Sequence, residues 1–170
     1  IWYSLRRSEQ CDLLVVKWVQ GQKMDGSTGA VDKALGGLIS KMIKEEGFKG
    51  KEGESMVFPI LGHKIGAKKV MLLGLGEQKN VTVDVVRKSA ARIVKEARRQ
   101  KSKKVATIFI GTGTAGIDPF TAAKAITEGA LLGGYAYTKY KSKEALAEMV
   151  FPSELVIVTF GIHEKAVYNP

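Results

Sequence analysis

The 170 residues contain a single cysteine, Cys11, so no internal disulfide can form, which fits a reducing compartment. A structural zinc takes four Cys or His ligands, and only His63 and His163 are there to add. No apolar run approaches the ~18 residues needed to cross a bilayer. The stretch Ile1–Gln10 carries Arg6 and Arg7, but no signal-length apolar run and no small-residue cleavage site follow. These absences point to a cytoplasmic protein with no membrane partner; the alternative is a fragment whose targeting signal was removed. Catalytic signatures are missing as well. There is no His-Glu-x-x-His helix, no Gly-x-Ser-x-Gly elbow and no Gly-Lys-Ser/Thr phosphate loop. Asp12, Asp25, Asp32, Asp84 and Asp118 are scattered, and three of them look like cap or turn residues, so hydrolytic machinery is hard to assemble.

Apolar residues make up 45% of the chain, enough for a core in one domain of ordinary size. The formal net charge is +10. Such an excess favours acidic partners such as nucleic acid, or marks a piece parted from a compensating acidic neighbour.

The hydrophobic pattern alternates between two periods. Asp12–Val19 reads as a strand whose continuous run Leu13-Leu14-Val15-Val16 predicts cover on both faces. Ser27 or Thr28 is placed to cap a helix running to about Glu46, with Gly36 and Gly37 inside it to let another element approach. Glu54–Leu61 is a strand in which Pro59 argues for an edge or an end. Lys68–Leu75 is the next strand, either antiparallel to its predecessor or neighbouring it through a wide loop. Thr82 caps a helix to about Gln100 with Val86, Ala90, Ile93, Val94 and Ala97 inward. Lys104–Ile110 is a strand. Asp118, followed by Pro119, caps a helix through Ala122, Ile126, Ala130 and Leu131 towards Tyr137. A charged segment, Lys139–Glu148, precedes the strand Glu154–Phe160; Trp2–Leu5 is a further short candidate. Strands alternating with amphipathic helices predict a three-layer α/β/α fold with a mixed, mostly parallel sheet.

Three features invite a functional reading. Gly74-Leu75-Gly76 closes a strand, but five residues separate it from the next helix, so it reads as a strand-ending turn rather than a phosphate cradle. Gly111, Thr112, Gly113, Thr114 and Gly116 follow a strand and lead to a helix, which makes a better ligand loop because open α/β sheets bind ligands at strand ends. Lys88, Arg92, Lys95 and Arg99 share one helix face, extended by Arg98, Lys101, Lys103 and Lys104. That stripe offers a nucleic-acid or docking face, although no aromatic residue interleaves it for base stacking. Tyr135, Tyr137 and Tyr140 form either a binding surface or the packing of a helix end.

Three stretches together carry a resemblance. The first is Asp32-Lys33-Ala34-Leu35-Gly36-Gly37 followed by Gly47-Phe48-Lys49-Gly50-Lys51 and Gly53-Glu54. The second is Lys69-Val70-Met71-Leu72-Leu73-Gly74-Leu75-Gly76. The third is Glu128-Gly129-Ala130-Leu131-Leu132-Gly133-Gly134-Tyr135 with Tyr140-Lys141-Ser142-Lys143. In this order, from about Cys11 to Phe160, they resemble the amino-terminal domain of the cytosolic leucyl aminopeptidase family of metallopeptidases. The resemblance implies a macro-domain-like fold over 1–160 and the start of a linker over 161–170. It implies a parent enzyme that removes amino-terminal residues from peptides with two divalent metals (manganese, zinc or magnesium), borne by a carboxy-terminal catalytic domain in a homo-hexamer. The family's signature Asn-Thr-Asp-Ala-Glu-Gly-Arg occurs nowhere here, so no catalytic or metal residue carries over and this stretch needs no cofactor of its own. Its implied role is assembly and access to the active site. The rival reading is a stand-alone macro-like module for a nucleotide or ADP-ribose-type ligand, or for nucleic acid.

Overall fold

The structure, a computed structural model, describes residues 10–62, 65–113, 115–136, 139–140, 142 and 149–158, and the backbone of 166–168. The strand expected over Trp2–Leu5, most of the charged segment 139–148, and His63, Thr114, Tyr137 and His163 lie outside them.

The strands are β1 (Cys11–Trp18), β2 (Ser55–Pro59), β3 (Ala67–Gly74), β4 (Lys104–Ile108), β5 (Glu154–Val158) and β6 (Ala166–Tyr168). They form one sheet in the order β2-β3-β1-β4-β5-β6. The four inner strands run parallel; the edges β2 and β6 pair antiparallel with β3 and β5. Pro59 ends an edge strand, where its missing N–H leaves no gap in an interior ladder. The sheet thus extends through Ala166–Tyr168, inside the stretch expected to be linker.

The helices are α1 (Gly26–Ala34), α2 (Leu38–Glu46), α3 (Val83–Arg99) and α4 (Pro119–Gly134). The run Leu13–Val16 is wholly buried because its side chains alternate between two cores. Leu13 and Val15 pack with Val86 and Ile93 of α3 and Ile126 of α4. Leu14 and Val16 pack with Val31 of α1, Ile39 of α2 and Phe48. The sheet is therefore sandwiched between α1 with α2 on one face and α3 with α4 on the other.

The single helix expected up to Glu46 is two helices. Gly36 and Gly37 adopt φ of 70° and 81°, which breaks the helix, and a Cβ on Gly37 would meet nothing within 4 Å. Both glycines serve a change of direction, and Gly37 makes no close approach. Buried Asp32 stabilises the break by accepting hydrogen bonds from Ile39 N (2.8 Å), Ser40 N (3.1 Å) and the Ser40 hydroxyl. Neither Ser27 nor Thr28 caps α1. Asp25 occupies that position, and the Thr28 hydroxyl donates instead to the Lys17 carbonyl at 2.6 Å, tying α1 to β1. Thr82 and Asp118 cap α3 and α4 as the sequence leads one to expect. However, α4 stops at Gly134, and Leu131 lies on its exposed side.

The start of β1 is fixed by Asp12. Its carboxylate accepts from the backbone N–H groups of Lys103 (2.9 Å) and Lys104 (3.0 Å) and from the Lys68 ammonium (2.7 Å). Burial opposes its ionisation, but these donors outweigh burial and hold the carboxyl below its ordinary range. A depressed pKa adds stability that is present above the unfolded value of ~3.9 and is lost as pH falls through the folded value. Asp12→Ala is expected to cost about 2 kcal/mol at pH 7. The gap in urea midpoint between variant and parent should narrow as pH falls below about 4 and go on narrowing through the folded value; a gap of equal size at pH 7 and pH 3 would contradict this account.

Candidate functional site

In this topology β1 and β4 are neighbours, while the connections leaving them turn to opposite faces, α1 to one and α4 to the other. Open α/β sheets bind ligands at such a divergence, beyond the carboxyl ends of the strands. A cleft of about 350 Å³ lies there, lined by Lys17 and Trp18 of β1, the residues Gln22–Thr28 and, from the loop after β4, Thr112 and Gly113. Gly111 and Gly116 do not line it. At Gly111, φ is 91° and a Cβ would lie 2.9 Å from both Ile117 Cδ1 and Val86 Cγ2, so this residue packs the loop onto α3. Thr112 turns its carbonyl to the Lys17 ammonium (3.2 Å), which sits half-buried; burial lowers the pKa of that ammonium. The cleft therefore offers a desolvated cation and the first turn of α1, a combination suited to an anionic group.

The other glycine turn is closed to ligands. Gly74 N donates to Glu54 O (2.8 Å), Leu75 N to Trp18 O (3.0 Å) and Gly76 N to Gly50 O (2.8 Å). All three N–H groups are consumed within the fold, Gly74 by the residue that leads into β2, Leu75 by the end of β1 and Gly76 by the loop 47–53. Glu54 completes that loop by accepting from Lys49 N and Lys51 N, and Phe48 stacks on Trp18 at 5.9 Å.

The basic stripe lies on the exposed side of α3 but is partly neutralised from within. Lys88 pairs with Asp84 at 2.7 Å and Arg99 with Glu96 at 2.8 Å. The Arg92 guanidinium lies over Gly53, where a Cβ would come within 3.0 Å of it, and Lys95 faces solvent. Arg98 stacks on Phe151 at 4.7 Å. Asp84 and Glu96 thus place carboxylates among the cations, so the face carries both signs of charge. Tyr135 and Tyr140 are exposed and do not pack the helix end.

No group of three or more His, Cys, Asp or Glu side chains is placed to hold a metal among the described residues. These residues therefore do not fit a two-metal centre, which needs several carboxylates converging on ions ~3.5–4 Å apart. Cys11 is no nucleophile. Burial, and after it the charge of Asp12, push its thiol up to about 11, against the smaller opposing effect of Lys104. Ellman's reagent at pH 8 is expected to modify it at most ~1% as fast as in the chain unfolded in urea; equal rates would contradict the burial.

Residues 15–144 match the family model described as the cytosol aminopeptidase family, N-terminal domain. The chain belongs to this family. A probable cytosol aminopeptidase of Alkaliphilus oremlandii is 40% identical over 134 residues, which is 78% of this chain and 26% of that protein. The matched stretch thus spans about a quarter of the relative's length. Among solved structures, a mutant of tomato leucine aminopeptidase shares its fold with a TM-score of 0.71 at 21% identity, covering 92% of this chain and 31% of that one. A mutant macrodomain of Oceanobacillus iheyensis, solved with ADPR, superposes with a TM-score of 0.64 at 16% identity, covering 90% of this chain and 80% of that one. Both likenesses bear on fold, which is macrodomain-like, as the resemblance implies. The cleft residues of this N-terminal domain carry weaker sequence signals. Lys17 escapes notice because it merely follows a strand's apolar run, and Thr28 reads as a helix cap.

Proposed function

We propose that this domain is the non-catalytic partner of a metal-dependent leucyl aminopeptidase, serving its assembly and access to its active site. The observation that carries the reading is the family match, over residues 15–144, to the N-terminal domain of that family. The two divalent metals and the peptide hydrolysis then belong to the remaining three-quarters of a relative-length chain, and the enzyme works as a cytoplasmic homo-hexamer. Expressed from its uninterrupted gene, the longer chain should hydrolyse leucine p-nitroanilide with added manganese, whereas residues 1–170 alone should not. Metal-dependent turnover by residues 1–170, or none by the longer chain, would refute the proposal.

A second reading is favoured by the cleft at the β1/β4 divergence: it takes a phosphate-bearing ligand of the ADP-ribose type on Lys17 and the first turn of α1. Calorimetric titration with ADP-ribose should show saturable binding that Lys17→Met weakens about tenfold or more, the worth of a charge-assisted contact. No heat of binding at millimolar ligand would end it. Binding of nucleic acid along Lys88, Arg92, Lys95 and Arg99 ranks below both, because Asp84 and Glu96 already engage two of the four cations.

A further inference from the structure

The two helices that cover the same sheet face present opposite surfaces to the outside. The outer side of α3 is charged, with Asp84, Lys88, Lys95 and Arg99. The carboxyl end of α4 is apolar: Leu131 is exposed, and Leu132 and Tyr135 expose 70% and 74% of their surface. Beside it, a groove of about 330 Å³ runs between α4 and the segment leading into β5, lined by Val94, Ala130, Leu131, Phe151, Pro152 and Leu155. An amphipathic helix on a lone domain would turn charge outward here, so this surface calls for a cover.

The sheet indicates which cover it receives. β6 runs antiparallel to β5, with Tyr168 opposite Leu155, so the backbone at residue 168 has returned to the groove wall. In the longer relatives the matched stretch is only about a quarter of the protein. Chain following β6 therefore starts at the groove, and a domain tethered there meets it at high effective concentration. We propose that the α4–β5 groove, together with the exposed apolar end of α4 beside it, is the seat of the catalytic domain of the same chain, with Phe151 in the groove and Leu132 and Tyr135 on the helix end as contacts. This rests on the reading of the chain as one domain of a longer aminopeptidase.

Hydroxyl-radical footprinting of the full-length protein tests it, with the same protein unfolded in urea as reference. Seated side chains pack as in an interior, so Leu132, Tyr135 and Phe151 should be protected about fivefold or more. Modification at the unfolded rate overturns the proposal. Protection that vanishes on dilution to the monomer assigns the groove to a second copy and overturns it too. Leu132→Asp in the full-length protein should expose Tyr135 and Phe151 while far-UV circular dichroism stays native; unchanged protection would count against the seat. Leucine p-nitroanilide hydrolysis is measured alongside on the parent protein. Hydrolysis without protection defeats the seat alone, and protection without hydrolysis defeats only the aminopeptidase reading.

Discussion

Gly129→Ala is expected to destabilise the domain by about 3 kcal/mol, the upper part of the range for overpacking a tight interior. A Cβ on Gly129 would run into the carbonyl oxygen of Arg87 and lie 2.9 Å from the Ala90 Cβ. One turn later, a Cβ on Gly133 would lie 2.5 Å from the Ala91 Cα. Backbone cannot step aside as a flexible side chain does, so α4 would have to lift from α3. That would open the core around Ile93, Ala125 and Ile126 and strain the Arg87–Glu128 pair, whose contact is 2.8 Å. At ~2–4 °C per kcal/mol for a chain of this size, the melting temperature should fall by roughly 6–12 °C. Gly133→Ala should behave alike. Gly134→Ala is the internal control. Its Cβ would meet only Val94 Cγ1, at an ordinary 3.6 Å, so it should be neutral or stabilising by up to ~0.5 kcal/mol, since alanine is the better helix former. Equal melting temperatures for the three variants would refute the close approach.

Gly74→Ala should cost a similar ~3 kcal/mol by a different route. Its Cβ would collide with the Lys51 carbonyl oxygen and lie 2.6 Å from the Gly50 carbonyl carbon. The loop 47–53 must then leave the end of β3, giving up the Gly76–Gly50 and Gly53–Gly74 hydrogen bonds and the Trp18–Phe48 stack. Limited trypsin digestion reads this directly, because Lys49 and Lys51 sit in the displaced loop. Cleavage there should accelerate about tenfold or more, as expected for a loop freed from its docking. A melting temperature that falls without faster cleavage at these lysines would place the damage elsewhere.

The apolar runs at Leu13–Val16 and Val70–Leu73, the helical spacing from Val86 to Ala97, and the caps at Thr82 and Asp118 are local signals, and each sits where its pattern puts it. Such patterns specify which element forms and which face is apolar, because both depend on residues a few positions apart. They also carry the family resemblance, in three ordered stretches. What those stretches do was decided in three dimensions. Gly74–Gly76 resembles a phosphate turn in one dimension, yet Glu54, Trp18 and Gly50 take its three N–H groups. Gly36 and Gly37 read in sequence as a point of close approach and are a helix break, while Gly129 and Gly133 form the real close approach. A glycine's use depends on what lies opposite it, and that partner is distant in sequence. The same holds for the candidate sites. Lys17, Thr28 and Thr112 meet only because β1 and β4 are neighbours in the sheet, and the groove beside α4 exists only because the segment leading into β5 returns alongside that helix. Local sequence determined the elements of this protein; the long-range pairing of the sheet decided its cleft, its groove and the meaning of its glycines.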